Sequence, residues 1–203
     1  MSENRVPIVP FDEVGLDPLY WAYLKLFASD IHSLVVDTQS LSSSSSSSSS
    51  SFSPPLGTVN LFFIECSKRV VNKVEVLGII VNKNIERRRV LYAVDDGTGL
   101  LQVAWLFKSG ADDSQAEFDS PQSNFMIGQK VVVRGPLTKF GDYPIEIKIE
   151  TIDHSIDPNE EILHWCTAAH LSSTNYRSPL VFGGAVAEKI AEWKEKKRTT
   201  QRE

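Results

Sequence analysis

The sequence predicts a mainly β protein, a small five-stranded barrel with one helix ahead of it and another behind. Three observations carry that expectation. Residues 59–151 contain five stretches of strand composition separated by turn and loop residues. The last of them, "PIEIKIETI", sets Ile145, Ile147 and Ile149 on one face and Glu146, Lys148 and Glu150 on the other. On both sides of this region an Asp-Pro pair opens a stretch of helical period.

Residues 1–37 read as an N-terminal extension whose stretch "GLDPLYWAYLKLFASDIHSL" forms a helix over 17–34. Asp17 caps it and Pro18 takes the first position, while Tyr20, Tyr23, Leu24, Phe27, Ile31 and Leu34 recur with helical period. Residues 38–57 hold a serine homopolymer, which buries nothing and cannot offset its own chain entropy. They read as a flexible segment.

The domain proper spans 58–171. "VNKVEVLGIIVNK" is the first strand, with Gly78 permitting a bend in its middle. "RRRVLYAV" and "LLQVAWLF" follow, joined through Asp-Asp-Gly-Thr-Gly. An acidic, Ser/Asp-rich loop over 108–125 precedes "QKVVVRG" and then "PIEIKIETI". Five strands, a bend in the first, and an insertion between the third and fourth match the Greek-key barrel called the OB-fold. The C-terminal helix, 158–171, is capped by Asp157 with Pro158 first, and Glu160 and Glu161 suit its positive end. Its stripe of Ile162, Trp165, Cys166 and Ala169 either plugs the barrel or meets a partner, and the partner is favoured. Residues 172–203 read as a polar tail carrying a short helix candidate.

Asp95 and Asp96 beside Gly97-Thr98-Gly99 raise the question of a metal or phosphate loop. The ligand series of a calcium loop and the Gly-Lys-Ser/Thr of a nucleotide cradle are both missing, whereas Asp, Gly and Thr between two strands suit a tight hairpin. His32, His154, His164 and His170 show no nucleophile–base pattern, so no catalytic residue, metal or cofactor is expected. Cys66 and Cys166 are the chain's two cysteines, with no ligand spacing and no disulfide framework, which fits a reducing compartment. No secretory signal or membrane span is read. With a net charge of −5, nucleic-acid contact must rest on a local patch or on a more basic partner.

The stretch "AVDDGTGLLQVAW" after a bent first strand resembles the second and third strands of one OB-fold family. That family comprises the middle subunit of replication protein A and its telomeric counterpart, the Stn subunit of the CST complex. "GLDPLYWAYLKLFASDI", "NKVEVLGIIV" and "GQKVVVRGPLTKFGDYPIEIKI" with the following helix resemble the telomeric protein at corresponding places. In the family a tryptophan usually lies one residue beyond the position of Trp105. The relatives' winged-helix domains have no counterpart after the barrel, so a short form or a truncated chain is expected.

The resemblance implies a non-enzymatic telomere-capping subunit of the nucleus and chromosome ends. Its implied partners are single-stranded DNA, a larger DNA-binding CST subunit, DNA polymerase α–primase for fill-in, and a small Ten-type OB-fold subunit on helix 158–171. Ile162, Trp165, Cys166 and Ala169 would face that small subunit. Basic and aromatic side chains of OB-folds grip single strands, and the candidates here are Lys83, Arg87, Arg89, Trp105, Arg134, Lys139, Phe140 and Tyr143. Competing roles are the middle subunit of replication protein A, a detached anticodon-reading domain, and a scaffold without DNA contact.

Overall fold

The computed structural model describes residues 15–40, 58–86, 89–107, 124–155, 157–180 and 184–200. In chain order the elements are α1 (Pro18–Trp21), β1 (Tyr23–Lys25), α2 (Ala28–His32), β2 (Val35–Ser40), β3 (Thr58–Phe63) and β4 (Val70–Val71). They continue with β5 (Lys73–Glu86), β6 (Arg89–Asp95), β7 (Leu100–Leu106), β8 (Lys130–Thr138), β9 (Glu146–Lys148) and β10 (Thr151–His154). α3 (Pro158–Leu171) runs into a π-helical turn at Ser172–Tyr176, and α4 (Gly184–Thr200) follows.

One long strand closes the barrel. β5 pairs with β8 through Lys73–Ile79 and with β6 through Ile79–Glu86, so it belongs to both ends of the sheet order β5-β6-β7-β9-β8. The exchange of partners falls at Gly78, where an added Cβ would lie 2.5 Å from the Asp95 carbonyl oxygen. Just beyond, the register with β6 shifts between Ile80 and Asn82, a bulge that sharpens the bend. This is the five-stranded OB topology that the sequence predicts. Val90, Tyr92, Val94, Leu101, Val103, Val131, Val133 and Ile147 fill its interior.

The predicted fifth strand is two strands. β9 lies parallel to β7 and antiparallel to β8, while β10 pairs with β8 alone. The switch is visible in two hydrogen bonds: Ile149 N donates to Ala104 O at 2.9 Å, and Glu150 N to Arg134 O at 2.8 Å. Gly135 makes room for it, since a Cβ there would sit 1.8 Å from the Lys148 carbonyl oxygen. Ile145, Ile147, Ile149 and Ile152 are all buried.

The N-terminal helix is broken in two, with strand β1 between α1 and α2. Asp17 does cap its first turn, accepting from Leu19 N at 2.9 Å. The continuous helix fails because β5 leaves an unpaired edge at Lys73–Glu75, where β6 does not reach, and edge N–H and C=O groups need partners. Tyr23, Leu24 and Lys25 supply them by pairing in parallel with Lys73, Val74 and Glu75. Leu24 and Leu26 are buried with the alternation of a strand.

The hairpin answers the question of the paired aspartates. Gly97 takes a positive φ of 84°, and Asp95 Oδ1 accepts its N–H at 2.8 Å. Asp96 Oδ1 accepts from Thr98 N and Thr98 Oγ1, both at 2.8 Å, and from Gly99 N at 3.2 Å. Its other oxygen accepts Ala28 N at 2.6 Å, and Thr98 Oγ1 receives Ser29 N at 3.2 Å. The two carboxylates thus shape a turn, and Asp96 holds the first residues of α2 against it.

Two boundaries move. β2 runs through Ser40 and pairs antiparallel with β3, from Val35↔Phe63 to Ser40↔Thr58, so part of the expected flexible segment is sheet. Burial of Leu61, Phe62 and Phe63 anchors that pairing. Residues 41–57, which hold most of the serine tract, and residues 108–123 of the acidic loop lie outside the described residues. The polar tail is tied down at its start: buried Tyr176 receives Lys25 N on its hydroxyl at 3.2 Å and Ser67 Oγ on its carbonyl at 2.6 Å. Arg69 bridges the same region, pairing with Asp17 at 2.5 and 2.8 Å and donating to Asn175 O at 2.9 Å.

Gly135→Ala should destabilise the barrel by about 3 kcal/mol or more, since the clash is with backbone. Chemical denaturation of the variant beside the wild type measures it.

Candidate partner-binding helix and nucleic-acid surface

The sequence gives α3 a defined start. Asp157 accepts Asn159 N at 2.8 Å, and Lys130 reaches from β8 to the Asp157 carbonyl at 3.2 Å and to Glu161 at 3.6 Å. His164 and Ala168 are buried, and Leu171 packs on the barrel core, so these residues form the inner face. The opposite face looks outward. Ile162, Leu163 and Trp165 are 61%, 68% and 40% exposed, and Cys166 and Ala169 are exposed beside them. The helix therefore rests on its barrel by one side while the stripe named from the sequence stays uncovered. Leu163 extends that stripe and was missed there, because the spacing rule favoured Ile162 over its neighbour.

What seats the inner face is polar. Glu75 on β5 is buried, and its carboxylate accepts from Lys25 on β1 and from Arg134 Nε on β8 at 2.6 Å. His164 Nδ1 of α3 lies 3.4 Å from the same carboxylate. Arg134 also holds Asp153 of β10 at 3.0 Å. Burial alone would push the Glu75 carboxyl up, but the approach of His164 and the hydrogen bonds from Lys25 and Arg134 hold it far below the carboxylate range. The cluster joins the N-terminal extension, the barrel and α3 at one point. Nothing in the sequence announces it, since its members are up to 139 residues apart by number, Lys25 to His164.

The nucleic-acid candidates divide into three groups. Lys139, Phe140 and Tyr143 share the loop between β8 and β9, with Phe140 61% and Tyr143 75% exposed. Arg89 pairs with Glu86 at 2.6 Å and lies 3.7 Å from Glu146. Glu146, expected on the solvent face, is buried, which raises its carboxyl while Arg89 opposes the shift. Lys83 turns toward the end of the barrel, donating to Phe125 O at 3.1 Å with its ammonium 5.6 Å from the Tyr92 ring centre. Burial pushes the Tyr92 hydroxyl up to about 12.

The remaining candidates lie elsewhere. Trp105 pairs with inward-facing Val90 and packs against the core, whereas Leu106, one residue on, is exposed. Arg134 is not brought to this surface, because Glu75 and Asp153 take its guanidinium on the side covered by α3. Arg87 lies outside the described residues. Register explains both departures: alternation along β7 turns Trp105 inward, and pairing of Glu75 with Arg134 across β5 and β8 turns that arginine toward a carboxylate.

No family model matches the chain. It is 29% identical over 120 residues to the CST complex subunit STN1 of Arabidopsis thaliana, covering 53% of this chain and 74% of that protein. In fold it is similar to a chain of the S. pombe Stn1–Ten1 complex, with a TM-score of 0.53, 19% identity, and 75% and 92% of the two chains covered. A chain of a replication protein A heterotrimer bound to single-stranded DNA gives a TM-score of 0.49 at 18% identity, covering 74% of this chain and 95% of that one.

The ion cluster has a pH signature. Glu75 is lowered in the folded state, so its contribution is complete at neutral pH. It declines as pH falls below the ordinary value of 4.5, where the unfolded chain takes up the proton first. Glu75→Ala should cost about 1–3 kcal/mol at neutral pH, because Lys25 and Arg134 lose a partner while remaining about a third exposed, and Arg134 keeps Asp153. Urea titrations at about pH 7 and about pH 3 should show the gap between wild type and variant narrowing in acid.

Proposed function

We infer that this chain, an OB-fold similar in sequence to an STN1 subunit and in fold to a chain of an Stn1–Ten1 complex, is a non-enzymatic subunit of a CST-like telomere-capping complex. The observation that carries it is the uncovered apolar face of α3, presented on a helix whose other side is fixed to the barrel. A small Ten-type OB-fold subunit is the partner proposed for this face, with Ile162, Leu163, Trp165, Cys166 and Ala169 meeting it. An apolar helix face with a tryptophan is the kind of anchor that dominates interface energies. A larger DNA-binding subunit completes the assembly, which acts in the nucleus at chromosome ends.

The same reading gives the chain a share in holding single-stranded telomeric DNA and in promoting polymerase α–primase fill-in. Exposed Phe140 and Tyr143 supply stacking faces and Lys139 a cation on one loop, the combination that grips single strands without reading base edges. Arg89 serves two carboxylates, so its contribution is smaller. The negative net charge limits the phosphate term, and most of the affinity belongs to the assembly.

Mixing the chain with a small Ten-type subunit should give a stable heterodimer on gel filtration. Ile162→Glu should weaken it about thirtyfold or more, equivalent to about 2 kcal/mol, by calorimetry. If the variant binds as tightly as wild type, α3 is not the interface. Separately, Phe140→Ala with Tyr143→Ala should lower single-strand affinity of the assembly about thirtyfold or more, at roughly 1–3 kcal/mol for each of two stacked bases, and leave heterodimer formation intact.

A further inference from the structure

We propose that the hollow between the β2–β3 sheet and the β8–β9 loop binds one nucleotide of a single strand, at a place the barrel alone does not make. The proposal rests on the single-strand reading above and adds a subsite to it. The hollow measures about 610 Å³, within the roughly 300–1,000 Å³ of small-molecule sites. Its walls come from separate parts of the chain: Val36 and Thr38 on β2, Asn60 on β3, Leu137 and Thr138 at the end of β8, and then Lys139 and Phe140.

Those walls have the chemistry of a nucleotide. Val36, Leu137 and the Phe140 ring offer apolar surface for a base, Thr38 and Asn60 offer groups for its polar edge, and Lys139 offers a cation for its phosphate. Among the described residues lining the hollow no side chain is acidic, in a chain whose net charge is −5. Asn60 is held in place: Thr38 Oγ1 donates to its Oδ1 at 2.9 Å, and its Nδ2 donates to Lys139 O at 2.6 Å. A carboxamide has two donors and two lone pairs, so one N–H and one lone pair remain for a ligand. The second bond also fixes the loop that displays Phe140, and the hollow opens beside that exposed ring. A strand stacked on Phe140 therefore has its next base at the mouth of the hollow.

The test uses the full chain, alone and with its small partner, and oligothymidylates of about 12 nucleotides carrying a single 5-iodouracil at successive positions. Photocrosslinking at one position should map to Phe140 or to the β2 and β3 peptides containing Thr38 and Asn60. Thr38→Glu places a carboxylate in the hollow at an exposed position; it gives up the Thr38–Asn60 hydrogen bond but does not touch the Asn60–Lys139 bond that braces the loop. It should weaken binding by about tenfold with the melting temperature unchanged. Asn60→Ala should do the same, and Thr38→Glu carries the test if that variant unfolds. Equal binding by wild type and Thr38→Glu, with crosslinks elsewhere, overturns the subsite and leaves the single-strand reading standing. Absence of binding by wild type, with and without the partner, overturns both.

Discussion

The carboxylate of Glu75 is the constraint on which the arrangement depends. It lies beneath a helix and inside the sheet, where an unpaired charge is costly, so it must be met from several directions. Lys25 meets it from the N-terminal extension, Arg134 from the neighbouring strand, and His164 from α3. Because the groups come from three separate segments, satisfying one charge fixes the position of all three. A rotation of α3 that buried Ile162 would draw His164 away from the carboxylate. The polar cluster, the burial of Ala168 and the packing of Leu171 agree on which face of the helix looks outward, while the apolar core supplies the bulk of the stabilisation.

The barrel was legible because strands written with period two have little else to become. Val131, Val133 and Leu137 alternate along β8, and Ile145, Ile147 and Ile149 are buried as their spacing predicts, although Glu146 between them is buried too. The Asp-Asp-Gly-Thr-Gly turn was legible from its chemistry alone. The N-terminal segment was not, since Tyr23, Leu24 and Phe27 satisfy a helical period while Leu24 and Leu26 equally satisfy a strand. An open edge on β5, invisible in the local sequence, decides between them. Long-range pairing overrode local periodicity there, as it did for β2 and β3 on either side of the serine tract.

The candidate site divides the same way. The α3 stripe could be named because a helix displays its faces in its spacing, and the structure leaves that stripe exposed. Arg134, Lys83 and Trp105 were chosen by residue type near a hairpin or strand, and type does not reveal direction. Register turns Arg134 toward Glu75 and Trp105 toward the core, and it leaves the loop of Lys139, Phe140 and Tyr143 as the exposed remainder. The exposed stripe and the exposed loop are built on different elements, a helix locked to the barrel and a loop braced by Asn60.

Amide hydrogen exchange, with and without a small Ten-type subunit, tests most directly that the outward face of α3 is where the partner sits. Slowed exchange is expected to be concentrated in peptides covering 158–171, with the β8–β9 loop unchanged. Slowing confined to that loop or to the barrel strands, with α3 exchanging as it does in the free chain, would contradict it.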